Sequence, residues 1–218
     1  MTALVPSLQT VVGRRVLFVM AAAPEYGKKL SERFTPFFTG VGPVEAACAT
    51  SAALAGLQAL QSLPDLIVCL GSAGSRTLEQ AQVYQVSSVS YRDMDASPLG
   101  FAKGLTPFLD LPAEIELPLH VPDFPSARLS SGAAIVTGSA YDAITADMVD
   151  METYAVLRAA MRFSVPLIGL RGISDGKREL RHYDDWTEYL HIVDERLAEA
   201  VDMIAEAIAK GAIALPRS

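Results

Sequence analysis

Three short apolar runs, at residues 16–21, 66–70 and 166–173, constrain this chain more than any other feature. Each is shorter than an ordinary helix and lacks the polar alternation of a strand with one wet face. Each also stops at a breaker: Pro24, the Gly71-Ser72-Ala73-Gly74 turn, and Ser174-Asp175-Gly176. Such runs are the pattern of strands buried on both faces. Residues 83–91 alternate and include β-branched side chains, and 129–137 reads as another strand. Helical stretches separate them. Pro24 is placed to open a helix to about residue 33, since proline fits a first turn. Residues 43–61 show helical spacing at Val44, Ala47, Cys48, Ser51 and Ala55. Residues 147–163 do so at Met151, Tyr154, Ala155 and Ala159. Residues 184–209 carry one apolar face from Trp186 through Leu197 to Ile208. The proline-rich stretch 96–126 is expected to be a long loop with broken helix, a lid or interface segment. Buried strands alternating with helices predict a single α/β domain over 15–210, with a lead-in at 1–14 and a tail at 211–218.

The chain has 218 residues, half of them apolar, which is ample for a core. Its 18 Lys and Arg against 25 Asp and Glu leave a net charge of −7, which argues against a nucleic-acid partner. No apolar run reaches the roughly 20 residues of a membrane span. Arg14-Arg15 followed by eight apolar residues imitates an export signal, but a buried first strand is the better reading. Two cysteines, Cys48 and Cys69, make neither a disulfide framework nor a zinc spacing, so a reducing cytoplasm is expected. His120, His182 and His191 stand at no metal-ligand spacing. Arg92 with Asp93 and Asp95 is the weak metal alternative.

In open α/β sheets ligands bind beyond the carboxyl ends of strands. Glu25, Ser72, Asp93, Arg171 and Asp175 all fall there, and Asp150-Met151-Glu152 is expected to open a helix. Taken singly, each acid reads as a first-turn or cap residue. Three carboxylates and an arginine converging on one sheet edge read as a site. Gly71-Ser72-Ala73-Gly74 is too short for a P-loop, and its glycines are expected to let a ligand approach the backbone. No Gly-x-Ser-x-Gly elbow is present.

Six segments in order, 16–25, 40–47, 68–74, 91–95, 149–152 and 170–175, resemble the purine nucleoside phosphorylase/nucleosidase superfamily. Within it the pattern is most similar to the 5′-methylthioadenosine/S-adenosylhomocysteine nucleosidases. The resemblance implies a three-layer α/β/α sandwich around a mixed, partly closed sheet. It implies hydrolysis of the N-glycosidic bond of a 5′-substituted adenosine, without a cofactor, in a homodimer serving nucleoside metabolism and methionine salvage. By the same resemblance Asp175 protonates adenine N7, Glu25 activates water, and Glu152 holds the ribose hydroxyls. Met151 packs on the sugar, and Arg171 and Ser72 hold the water. Ser174 and Gly74 are further substrate-binding residues by the same resemblance. Tyr141 falls where the family stacks a Phe on adenine. Val41 and Leu99 fall near the 5′ group, Leu99 from the partner subunit, and Tyr183 or Trp186 closes the pocket. Pro24 before Glu25, Asp150 in place of a Glu, and Leu99 in place of a Phe are departures from the family.

The nearest rival is a phosphorylase on the same fold. Phosphorylases of this superfamily carry an arginine two residues before the Gly-Ser turn, where this chain has Cys69. Other rivals are a nucleosidase for another adenosine-bearing metabolite, of aminofutalosine or adenosylhopane type, and a nucleoside-binding protein without turnover.

Overall fold

Alternate residues of the central strands feed two separate cores. In the computed structural model, which describes residues 5–176 and 182–215, strand β2 (Arg14–Met20) sends Val16 and Phe18 to one core. It sends Leu17 and Val19 to the other. β4 (Leu66–Gly74) divides Val68 and Leu70 from Ile67 and Cys69 in the same way, and β9 (Leu167–Asp175) divides Ile168 and Leu170 from Leu167 and Ile173. Helices α2 (Pro43–Ala59) and α3 (Thr153–Arg162) cover the Leu17 face. The long helix α5 (Leu190–Ala209) and the four-residue α1 (Lys28–Ser31) cover the Val16 face. The result is three layers, and burial of both sheet faces is why these strands read as unbroken apolar runs.

The remaining strands are β1 (Gln9–Val11), β3 (Phe37–Phe38), β5 (Val83–Tyr91), β6 (Glu114–Glu116), β7 (Ser126–Ser131) and β8 (Met148–Asp150). β2, β4 and β9 run parallel side by side, and β5 joins β9 antiparallel. β5 also pairs with β7, β7 with β8, and β8 with β4. Five strands thus close into a ring, the partly closed mixed sheet that the resemblance implies. Among the described residues no helix is long and apolar enough to cross a membrane.

Several boundaries differ from expectation. β1 lies within the expected lead-in and pairs with β2, and Ile213 and Leu215 of the expected tail are buried on the core. Residues 1–4 and 216–218 of those two segments lie outside the described residues. The strand expected at 129–137 stops at Ser131. Asp150 closes β8 rather than opening a helix, and its carboxylate accepts the Thr153 amide at 2.9 Å to start α3 there. The Gly71–Gly74 stretch is not a turn beyond β4, because β9 pairs with it as far as Gly74. The helix expected from Pro24 is two pieces: a 3-10 turn, Ala23–Glu25, then α1. α1 has no side-chain cap of its own. Asp194, on α5, accepts the Lys29 and Leu30 amides at 2.8 and 3.1 Å instead. The helix expected over 184–209 is likewise divided into α4 (Tyr183–Thr187) and α5.

Candidate active site

A cavity of about 470 Å³ opens where the carboxyl ends of β2, β4 and β9 meet β8. Glu25 stands at one wall on its 3-10 turn, 9% exposed. Its Oε1 accepts the Ser72 amide at 2.7 Å and the Ser72 hydroxyl at 2.6 Å. That hydroxyl in turn accepts the Trp186 indole N–H at 3.0 Å. Gly71 makes the close approach possible. A Cβ there would lie 3.0 Å from Arg171 Nη1 and 3.1 Å from each Glu25 oxygen. Burial pushes the Glu25 carboxyl above its usual range, and the Ser72 bonds and the Arg171 charge offset only part of that.

Arg171 is 2% exposed and lies behind this wall. Its Nη2 donates to Asp150 Oδ2 at 2.8 Å and to Thr153 Oγ1 at 2.6 Å, and approaches the Cys69 sulfur at 3.4 Å. Asp150 also accepts from the Ser131 and Thr153 hydroxyls. Burial alone would raise the Asp150 carboxyl, but Arg171 and these donors outweigh it and hold it low. Burial pushes the Cys69 thiol up to about 11, so it stays protonated.

Glu152 precedes α3, lines the cavity, and accepts the Gly42 amide at 2.8 Å. Burial first, and the Asp150 charge second, push it up to about 7. Asp175 ends β9 just past a bulge. Ala73 pairs with Ile173 but Gly74 pairs with Asp175, so Ser174 is the extra residue. Bulges re-aim side chains beside active sites. Here Asp175 reaches the cavity while Ser174 stays buried and donates to Asp175 Oδ1 at 2.6 Å. Burial raises Asp175 too.

Of the residues singled out in the sequence, Glu25, Val41, Ser72, Gly74, Met151, Glu152, Asp175 and Trp186 line the cavity, with Tyr183 beside Trp186. Arg171 and Ser174 stand one layer back. Tyr141 is buried with Val136 and Val149 rather than forming a wall. Leu99 is 78% exposed and does not line the cavity. Arg92 was missed as a site residue. It lines the cavity and donates to the carbonyls of Ser130, Asp150, Gly132 and Ala134. Asp93 accepts the Ala133 amide, so these two residues clamp the 130–134 segment rather than marking a metal site. Ala134, Ile135 and Val136 form an apolar wall that no sequence period announced. The available signal was a charged pair directly after β5.

Comparison with known proteins gives a consistent result. The chain is 29% identical over 157 residues to a 5′-methylthioadenosine/S-adenosylhomocysteine nucleosidase of Haemophilus influenzae, covering 63% of this chain and 66% of that enzyme. Its fold matches a futalosine hydrolase mutant of Helicobacter pylori with a TM-score of 0.73 at 16% identity, over 88% of this chain and 98% of the other. It also matches a 5′-methylthioadenosine/S-adenosylhomocysteine nucleosidase of Colwellia psychrerythraea in complex with adenine, with a TM-score of 0.72 at 20% identity, over 92% and 97%. The family model described as the phosphorylase superfamily matches residues 26–209, and the chain belongs to that superfamily.

Proposed function

We propose that this protein hydrolyses the N-glycosidic bond of 5′-substituted adenosines such as 5′-methylthioadenosine and S-adenosylhomocysteine, releasing adenine and the modified ribose. The observation that carries the reading is one cavity lined by the buried Glu25 and Glu152 and the half-buried Asp175, all raised in pKa, and by a fourth acid, Asp150, that is neutralised by arginine. Adenine leaves poorly unless N7 is protonated, and an aspartic acid lifted by burial can hold that proton near neutral pH. Asp175 is that acid. The sugar becomes cationic as the bond breaks, and Glu152 both binds its hydroxyls and supplies nearby negative charge. Met151 packs against the ring. Glu25 takes the proton of the attacking water, which Ser72 orients, while Arg171 acts through its charge from behind Gly71. Val41, with Leu99 of the partner subunit, meets the 5′ group, and Trp186 closes the cavity. Exposed Leu99 and Phe108 support a homodimer, and the two free cysteines support a cytoplasmic setting.

Hydrolysis is favoured over phosphorolysis by the fate of the positive charges. Arg171 is committed to Asp150 and Arg92 to four carbonyls, and Cys69 is a neutral thiol where a phosphorylase carries arginine. A phosphate dianion needs charged donors that are free to meet it. The test is incubation with 5′-methylthioadenosine with and without phosphate, followed by assay of adenine and of the sugar product. The expected products are adenine and free methylthioribose at a rate indifferent to phosphate. A sugar 1-phosphate product would overturn the reading.

A further inference from the structure

The Tyr141 hydroxyl is a buried polar group with no hydrogen-bond partner. The residue is 8% exposed, on the 3-10 segment Gly138–Ala143, clustered with Val136 and Val149 and with the Arg76 guanidinium over its ring, 5.3 Å from the centre. Buried polar groups in native proteins are almost always paired, so an unpaired one calls for an explanation. Its position supplies one. A Cβ built on Gly74 would collide with the Tyr141 hydroxyl and stand 2.9 Å from Asp175 Oδ2. The two oxygens therefore crowd the same position, where a Gly74 Cβ would stand, and only glycine leaves room for both. The other carboxyl oxygen, Oδ1, is already held by Ser174.

We infer that Tyr141 is a positioning residue for Asp175: its hydroxyl closes onto Oδ2 as the acid gives up its proton. The inference rests on the nucleosidase reading above. In that step the Asp175 O–H bond breaks and the N7–H bond forms. The C1′–N9 electron pair passes to the purine, and a carboxylate is left behind. Ser174 on Oδ1 and Tyr141 on Oδ2 then stabilise that carboxylate with one hydroxyl donor each. The Tyr141 O–H bond stays intact, because burial first and the nearby Asp175 second push the phenol well above its usual pKa, and Arg92 and Arg76 only partly oppose them. Catalytic hydrogen bonds that are open in the empty enzyme commonly tighten when the site is working. The arrangement makes Asp175 a better acid at the moment of transfer without making it ionised beforehand.

The test compares two substrates in wild type and Tyr141→Phe. One is 5′-methylthioadenosine, whose departure needs a proton on N7. The other is the 4-nitrophenyl glycoside of methylthioribose, whose leaving group needs none. With methylthioadenosine, loss of one donor to a developing charge should lower kcat about tenfold while KM stays within about twofold. With the nitrophenyl glycoside the variant should match wild type. Ser174→Ala should show the same split, since it removes the other donor. An equal loss on both substrates, a loss confined to KM, or no loss at all would each overturn the inference. If wild type itself releases no adenine, the nucleosidase reading falls and takes this one with it. An active wild type with an indifferent Tyr141→Phe removes only the role of the hydroxyl.

Discussion

Asp150 and Glu25 are both buried acids within reach of Arg171, and the protein treats them oppositely. Asp150 meets a guanidinium, two hydroxyls and an amide, and its pKa falls. Glu25 receives one serine on one oxygen, and its pKa rises. Depth of burial does not separate them; the number and charge of their donors does. A fully satisfied acid is part of the frame. An acid left partly unsatisfied is held at a cost in stability, a cost that functional sites commonly carry.

The largest effect expected from breaking this contrast is at Glu25. Glu25→Gln keeps the acceptor for Ser72 and removes the proposed base, so kcat should fall by about 10²–10⁴. Stability should move the other way. Below about pH 4.5 Glu25 is protonated whether the chain is folded or unfolded, so variant and wild type should match. As pH rises past that value the unfolded chain ionises freely. The folded chain must then keep the proton or carry a buried charge, so wild type loses stability that the variant retains. Thermal melts of both proteins at pH 4.5 and pH 8 check this, and a variant less stable at pH 8 would contradict it.

Asp150→Asn should do the reverse. It leaves Arg171 buried without its counter-charge, which typically costs about 3–5 kcal/mol. Urea unfolding reads this directly. A variant as stable as wild type would mean that Glu25 and Glu152 already neutralise Arg171, and the division between frame and reactive acid would fail.

The smallest effect is at Trp186. Trp186→Phe deletes the indole donor to Ser72, worth about 0.5–1.5 kcal/mol in stability, and leaves Ser72 bonded to Glu25. Comparing kcat on methylthioadenosine between this variant and Ser72→Ala sharpens the picture. Ser72→Ala should be the slower enzyme, because it alone loses the hydroxyl that donates to Glu25.

The frame was more legible in the sequence than the site. β2, β4 and β9 announced themselves because burial on both faces demands uninterrupted apolar residues. Val83–Tyr91 did so by alternation. β8 did not, because three residues are too few to show a period and Met151 and Tyr154 continue a helical spacing across its end. Glu25 and Asp175 stood out as charges at strand ends, and Glu152 as an acid at an expected helix start. The clamp made by Arg92 did not, because its partners are backbone carbonyls, which every residue carries. The layered position of Tyr141 was equally hidden. A motif shows that an aromatic residue is present but not which side of Gly74 its ring occupies.

The Asp194 carboxylate under α1 carries a consequence for the order in which the molecule assembles. The turn that bears Glu25 leads into a helix of four residues, too short to nucleate on its own in water. The group that satisfies its first amides comes from 164 and 165 residues further along the chain. Closing a loop of that length is an entropic toll collected before any contact rewards it, and non-local contacts of this kind form slowly. The β2–β4–β9 sheet closes shorter loops, pairing Val16 with Leu66 and Ile67 with Leu167. The Glu25 end of the cavity is therefore expected to be completed last, when α5 docks.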